Sequence, residues 1–101
     1  MLVSLSASLD EVIHQSTRLR IMTVLNMLKR DEWMAFIRLK ALLDVSDGNL
    51  GSHLETLQRA AYIEIDKQIV GRKPQTRTRL TPAGRSAYRQ HVNALKSLLD
   101  L

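Results

Sequence analysis

"SDGNLGSHLETLQRAAY", residues 46–62, is the stretch on which the reading of this chain turns. Ser46 has the side chain of a helix N-cap, and Asp47 puts a negative charge in the first turn, where the helix dipole favours it. Leu50, Leu54, Leu57 and Ala61 follow at spacings of four, three and four, which lines them along one side of a helix. The opposite side carries Gly48, Ser52, Glu55, Thr56 and Arg59, with Asn49 and His53 on its shoulders. Side chains so small and polar do not build a core, so this side is open to a partner.

Upstream, Phe36, Leu39, Leu42 and Leu43 form a short amphipathic helix, separated from the quoted one only by Asp44 and Val45. Two helices therefore meet across a very short turn. Trp33, Met34 and Ala35 form a short extended link before them. Ile21, Val24, Leu25 and Leu28 recur at helical spacing behind a cap at Ser16 or Thr17, in a helix expected to end near Lys29, Arg30 and Asp31. Ser8 and Glu11 have capping-box spacing, and Leu9, Val12 and Ile13 give a further short helix. Downstream, "YIEIDKQIV" alternates apolar and polar residues over Tyr62 to Asp66, "GRKPQ" reads as a loop, and "TRTRLT" alternates again, so the three predict a β-hairpin. Thr81 and Pro82 are an N-cap and first-turn pair, and Tyr88, Val92, Leu95 and Leu99 carry an apolar stripe to the end.

The chain has 101 residues, 45% apolar and 25% charged, the balance of one small folded domain. It contains no repeats, low-complexity segments or linkers. The absence of cysteine excludes disulfides and thiolate metal sites. The opening "MLVSLSASL" resembles neither a signal peptide nor a membrane span, which points to the cytoplasm. Met1 to Asp66 holds seven basic and nine acidic residues, whereas Lys67 to Leu101 holds eight basic residues against Asp100 alone. Positive charge concentrated in the last third suggests a polyanion partner.

The order helix, helix, tight turn, helix, hairpin, helix describes a mainly α domain with a small β-hairpin (α+β): a winged helix-turn-helix with extra N- and C-terminal helices. In that arrangement the second helix of the turn enters the DNA major groove and the first braces it. A helix enters the groove only if its outer side is not bulky, and Gly48, Gly51 and Ser52 allow close approach. Asn49, Ser52, His53 and Thr56 offer hydrogen bonds to base edges, and the Ser46 end offers backbone N–H groups to a phosphate. Glu55 opposes this unless it accepts from a cytosine amino group or pairs with Arg59.

"FIRLKALLDVSDGNLGSHLETLQRAAYIEIDK" (residues 36–67), the "GRKPQTRTRLT" of residues 71–81 and "PAGRSAY" of residues 82–88 resemble the small winged-helix transcriptional regulators related to the MarR and ArsR groups. The ordered set "SDGNL", "HLETL", "RKPQT" and "LTPAGR" makes the resemblance specific over nearly the whole chain. It implies a dimeric DNA-binding transcription factor whose reading helix begins at Ser46 and whose wing tip is Gly71, Arg72, Lys73, Pro74 and Gln75. Two positions depart from the pattern. Ala61 stands where a Gly usually caps the helix before the first wing strand, and Asp44 stands where the turn usually has Gly.

The wing cations Arg72, Lys73 and Arg77, with Gln75, are therefore candidate DNA contacts, as is Arg79. Alternatively, Arg77 and Arg79 pair across the hairpin with Glu64 and Asp66, in a register that the sequence leaves open. His14, His53 and His91 lack a second ligand at helical spacing, and no nucleophile has a base beside it, so neither a metal or cofactor site nor catalysis is expected. The apolar stripes Leu9, Val12 and Ile13, and Tyr88, Val92, Leu95, Leu98 and Leu99, exceed what so small a core needs and are expected to form a dimer interface. In this division residues 1–15 are an N-terminal helix, 16–81 the winged-helix body and 82–101 the dimerisation helix.

The function expected is a homodimeric regulator, a repressor by occlusion, on a partly palindromic duplex site. The alternatives are a winged-helix module for a protein partner, whose wing would have no need of basic residues, and structured RNA, whose deep major groove admits no helix. A small-molecule effector is not identified by any polar cluster, although a cleft near Trp33 would be the place for one.

Overall fold

The computed structural model describes residues 8–101. Its elements are α1 (Glu11–His14), α2 (Ser16–Asn26), β1 (Met34–Ala35), α3 (Phe36–Leu43), α4 (Asp47–Arg59), β2 (Ile63–Val70), β3 (Lys73–Leu80) and α5 (Pro82–Leu99). The strands form one antiparallel sheet in the order β1-β3-β2, so the architecture is the expected mainly helical domain with a hairpin. Ile21, Met22 and Leu25 of α2, Leu39 and Leu43 of α3, and Leu50, Leu54 and Leu57 of α4 meet in one core, closed by Ile63 and Leu80 from the hairpin. The short extended link is β1, in which Met34 pairs with Thr78 and Ala35 with Arg77.

The N-terminal region differs from expectation. Asp10, not Ser8, caps α1: its carboxylate accepts from the N–H groups of Val12 and Ile13. Asp10 is fixed there from a distance, since its own N–H donates to Nδ1 of His91 at 3.0 Å and its carboxylate accepts the Tyr62 hydroxyl. The next cap is Gln15, whose side chain accepts from Arg18 N, while Thr17 is buried. Helix α2 ends at Asn26, short of Lys29, because the chain then turns: Glu32 accepts from Lys29 N and Asp31 has a φ of 73°.

The hairpin is tighter than a five-residue loop. Its turn is Gly71 and Arg72 alone, with φ of 54° and 72°, the positive pair that a two-residue primed turn requires. Lys73, Pro74 and Gln75 therefore belong to β3 and pair with Val70, Ile69 and Gln68. Pro74 is tolerated because β1 reaches only Arg77 and Thr78, which leaves the other edge of β3 open at the proline.

Helix α4 ends in a closed cap. The N–H of Ala61 donates to the Gln58 carbonyl and that of Tyr62 to the Leu57 carbonyl, the paired bonds of a Schellman motif, with Ala61 left-handed at a φ of 64°. Thr81 then ties the start of α5 to this corner: its N–H donates to the Tyr62 carbonyl, and its hydroxyl donates to the Ala61 carbonyl at 2.7 Å and accepts from Gly84 N. Gly84 permits the contact, since a Cβ there would lie 1.9 Å from the Tyr62 carbonyl oxygen.

Candidate nucleic-acid interface

The α3–α4 turn is held by three local devices. Asp44 takes the left-handed conformation (φ 53°) that a Gly would otherwise supply. Ser46 caps α4 through an acceptor bond from Asn49 N at 3.1 Å. Lys40 on α3 pairs with Asp47 on α4 at 2.7 Å, a surface bridge across the turn. The N–H groups of Asp47 and Gly48 lie in the first turn, where a helix supplies no partner for them.

On α4 the Leu50, Leu54 and Leu57 side chains are wholly turned inward. Asn49, Ser52 and Glu55 are exposed, and Gly51, His53 and Thr56 are half-buried. A Cβ built on Gly48 or Gly51 meets nothing within 4 Å, so neither glycine is required by the packing of the chain itself. Gly51 lies inside α4, where glycine costs about 1 kcal/mol relative to Ala. Thr56 donates its hydroxyl to the Ser52 carbonyl at 3.2 Å and accepts from Arg59 at 3.5 Å, which leaves it one further acceptor position. Glu55 lies 4.0 Å from Arg59, which partly offsets its charge.

His53 is more constrained than its neighbours. Its Nδ1 lies 3.1 Å from Arg18 Nη1 of α2, and burial, then the Arg18 charge, hold its pKa below the ordinary histidine value. Since Arg18 can only donate, Nδ1 accepts and the neutral ring carries its proton on Nε2, as a donor. Arg18 thus orients a residue of the candidate reading face without belonging to that face.

Register sorts the hairpin side chains. Glu64, Asp66, Gln68 and Val70 share one face with Arg79, Arg77, Gln75 and Lys73, while Ile63, Ile65, Lys67 and Ile69 share the other with Leu80, Thr78, Thr76 and Pro74. On the first face Arg77 pairs with Asp66 at 2.9 Å and Arg79 with Glu64 at 2.8 Å. Both guanidinium groups lie over the Trp33 ring, at 4.4 and 4.1 Å from its centroid. Arg77 and Arg79 thus make the cross-hairpin pairs that the sequence left open as an alternative, each with its side chain 34% exposed. Arg72, Lys73 and Gln75 are exposed at the tip.

Of the candidate interface residues, Ile13 is corrected outright: it is 0% exposed and part of the protomer core. Leu9 and Val12 are half-buried. Tyr88 packs on the core and donates its hydroxyl to Thr23 at 2.9 Å. Val92, Leu95 and Leu98 are half-buried without joining the core, and Leu99 is 62% exposed. His91 is the one large buried side chain of α5; burial, then the neighbouring His14, depress its pKa, and its Nε2 has no partner among the described residues.

Among the described residues no group of three His, Cys, Asp or Glu is placed to hold a metal ion, and no helix is long and apolar enough to cross a membrane. A cleft of about 590 Å³ opens between the end of α2, the hairpin base and the start of α5, floored by Leu25, Leu28 and Leu80 and rimmed by Arg79 and Arg85. Lys40, Arg18, Trp33 and Gly84 are structural participants that the sequence does not announce. A Lys seven positions before an Asp in the next helix is the only one with a local trace.

Known proteins are similar to this chain in sequence and in fold. An uncharacterised protein of Methanocaldococcus jannaschii is 27% identical over 88 residues, which span 87% of this chain and 92% of that protein. The structure of a transcriptional regulator homologue protein from Pyrococcus horikoshii OT3 superposes with a TM-score of 0.80 at 28% identity, covering 88% of this chain and 85% of the other. A family model described as a winged helix DNA-binding domain matches residues 17–99, from the start of α2 to the last turn of α5. With its helix-turn-helix, hairpin and closing helix matched end to end, the chain belongs to the winged helix DNA-binding domain family.

Proposed function

We propose that this protein is a transcriptional regulator that binds a partly palindromic duplex as a homodimer, with α4 of each protomer in the major groove. The observation that carries this reading is the outer side of α4. Two glycines lie there with no packing reason inside the chain, beside exposed Asn49 and Ser52. Close approach of an outside surface accounts for them, and a base edge is the surface that short hydrogen-bonding side chains read. Asn49, Ser52, His53 through Nε2–H, and Thr56 supply the base contacts. The N-terminus of α4 at Ser46, together with Arg72 and Lys73, holds phosphates, and Gln75 lies beside them.

The apolar stripe of α5 supports dimerisation. Tyr88 is anchored in the protomer, as is Val12, but Val92, Leu95, Leu98 and Leu99 extend an apolar stripe beyond it, and Leu9 lies half-buried at the other end of the chain. A second copy covers such a stripe by two-fold symmetry, which also matches two half-sites. Occlusion of a promoter by the bound dimer makes repression the mode of action, in the cytoplasm beside the DNA.

Selection of bound sequences from a random duplex pool tests the reading. Enrichment of a symmetric motif is expected. Binding without enrichment would mean that α4 does not read bases, and binding to RNA or single strands in preference to duplex would exclude the major groove.

A further inference from the structure

Arg18 is placed in a way that ion pairing does not account for. It lies half-buried near the start of α2, where a guanidinium is ordinarily matched by a carboxylate. The half-buried Arg77 and Arg79 each have one, but among the described residues Arg18 has none. Its Nε donates to the Val12 carbonyl of α1, and its Nη1 lies 3.1 Å from Nδ1 of His53 on α4. Two neutral acceptors do little to neutralise a cation, but they give its planar fork a direction. Val12 is itself held, since its N–H donates to the Asp10 carboxylate at 2.9 Å and the Asp10 N–H donates to His91 of α5 at 3.0 Å. The aim of Arg18 at His53 is therefore set by the body of the protomer.

We infer that Arg18 is a positioning residue for base specificity: by holding the His53 ring as a donor at Nε2, it makes each half-site carry a guanine opposite His53. The inference rests on the reading of α4 as the major-groove helix and adds the identity of one base to it. Arg18 can only donate, so Nδ1 of His53 accepts and the neutral ring keeps its proton on Nε2. Burial, then the Arg18 charge, oppose a second proton on the ring. Among the described residues Nε2 of His53 has no hydrogen-bond partner, which leaves its N–H for a group from outside. In the major groove guanine presents two acceptors, N7 and O6, and no donor. Adenine has one acceptor beside an amino group, thymine one beside a methyl group, and cytosine only a donor. A single N–H held in one direction thus suits guanine best and cytosine least. Without Arg18 the ring can turn over and carry its proton on either nitrogen, and the position loses its rule.

Selection from a random duplex pool tests this, run on the parent and on Arg18→Met at about pH 8, where an ordinary imidazole is neutral. Methionine keeps an unbranched apolar stem and cannot donate. At one position of each half-site the parent should prefer guanine to cytosine by about tenfold, the cost of one mismatched pair. His53→Ala should lose that preference, which identifies the position. Arg18→Met should reduce it to about twofold, with the other positions read as before and the salt slope unchanged. In a His53→Ala background Arg18→Met should change nothing further, as expected of a residue that acts only through the ring. Nitrogen NMR of the parent without DNA should show His53 protonated at Nε2 and bare at Nδ1.

A guanine preference that survives Arg18→Met would overturn the inference, as would a further loss in the His53→Ala background. A salt slope lower by about one would also overturn it, because Arg18 would then hold a phosphate itself. The NMR measurement needs no variant, so a ring protonated at Nδ1 would end the inference even if Arg18→Met did not fold. A parent that selects no motif would defeat the reading of α4. A parent that selects a motif with another base opposite His53 would defeat this inference alone.

Discussion

Helices α4 and α5 are both amphipathic, and their sequences look alike in that respect, yet the chain uses them in opposite ways. In α4 the apolar side is spent inside the protomer, with Leu50 and Leu57 at 0% exposure and Leu54 at 2%, and the polar side is left small and open. In α5 the only buried residues are Gly84 and His91, and the stripe that follows remains half-covered. Helical periodicity shows which side of a helix is apolar but not what covers it. In α4 the covering elements are α2 and the hairpin; in α5 the chain covers the first half, through Gly84, Tyr88 and His91, and leaves the later stripe half-exposed.

Truncation should separate the two stripes most sharply. Leu57→Ala is expected to cost about 2 to 5 kcal/mol of folding stability, the range for a fully buried leucine whose site cannot collapse. Leu95→Glu should instead give a folded protein that sediments as a monomer, because the charge falls on the partner's stripe and not in the protomer core. An unfolded Leu95→Glu would assign that residue to the core. A dimeric one would move the interface elsewhere.

Gly84→Ala comes next in size. Helix α5 is held by backbone proximity at its first turn, and a methyl placed 1.9 Å from a carbonyl oxygen has to push α5 away from Tyr62. A loss of about 3 kcal/mol in denaturant titration is expected, near the upper end for overpacking because the obstacle is backbone and cannot rotate aside. A wild-type midpoint would show that α5 does not depend on this corner.

What the sequence made legible follows the same division. The α3–α4 turn and the caps at Ser46 and Thr81 are local devices, decided within a few residues, and the structure has each where its residues suggest. Asp10 took the first cap from Ser8 because of bonds to His91 and Tyr62, at sequence separations of 81 and 52, which no local pattern carries. The hairpin tip differs from a five-residue loop because Gly71 and Pro74 both read as loop residues, whereas Pro74 sits inside β3 where its missing N–H faces an open edge. With the turn three residues shorter, the register becomes definite, and Arg77 falls opposite Asp66. The polar side of α4 is visible in the sequence as a row of small polar residues, but the tether of His53 to Arg18 is not, since Arg18 lies 35 residues away.

The open side of α4 should respond in binding and not in folding. Asn49→Ala is expected to lose about 1 to 3 kcal/mol of affinity for the selected site, with little change on random duplex. Gly51→Leu adds bulk where a Cβ meets nothing in the chain and replaces a poor helix former with a good one. It should melt no lower than the parent and still bind the selected site poorly. Undiminished binding would mean that α4 does not lie in the groove, and its polar side would then be no better assigned than the stripe of α5.

The smallest effect belongs to the corner where α4 gives way to the hairpin. Ala61 holds the left-handed conformation of the Schellman cap, at a cost of about 1 to 2 kcal/mol for an L-residue. Its methyl group is exposed, so Ala61→Gly removes no packing. Glycine relieves the strain but gives back part of the gain, because it frees the unfolded chain by about 0.5 to 1 kcal/mol. The net stabilisation should be about 0.5 to 1 kcal/mol, a rise of a few degrees in melting temperature for a domain of this size. DNA affinity should not change, since Ala61 follows the last turn of α4 while the residues proposed to read bases occupy its first three turns. If Ala61→Gly also altered affinity, α4 would be set by its C-terminal corner as well as by the turn at Ser46. Its contrast with α5, whose position depends on that same corner through Thr81 and Gly84, would then narrow to the question of which surface each presents.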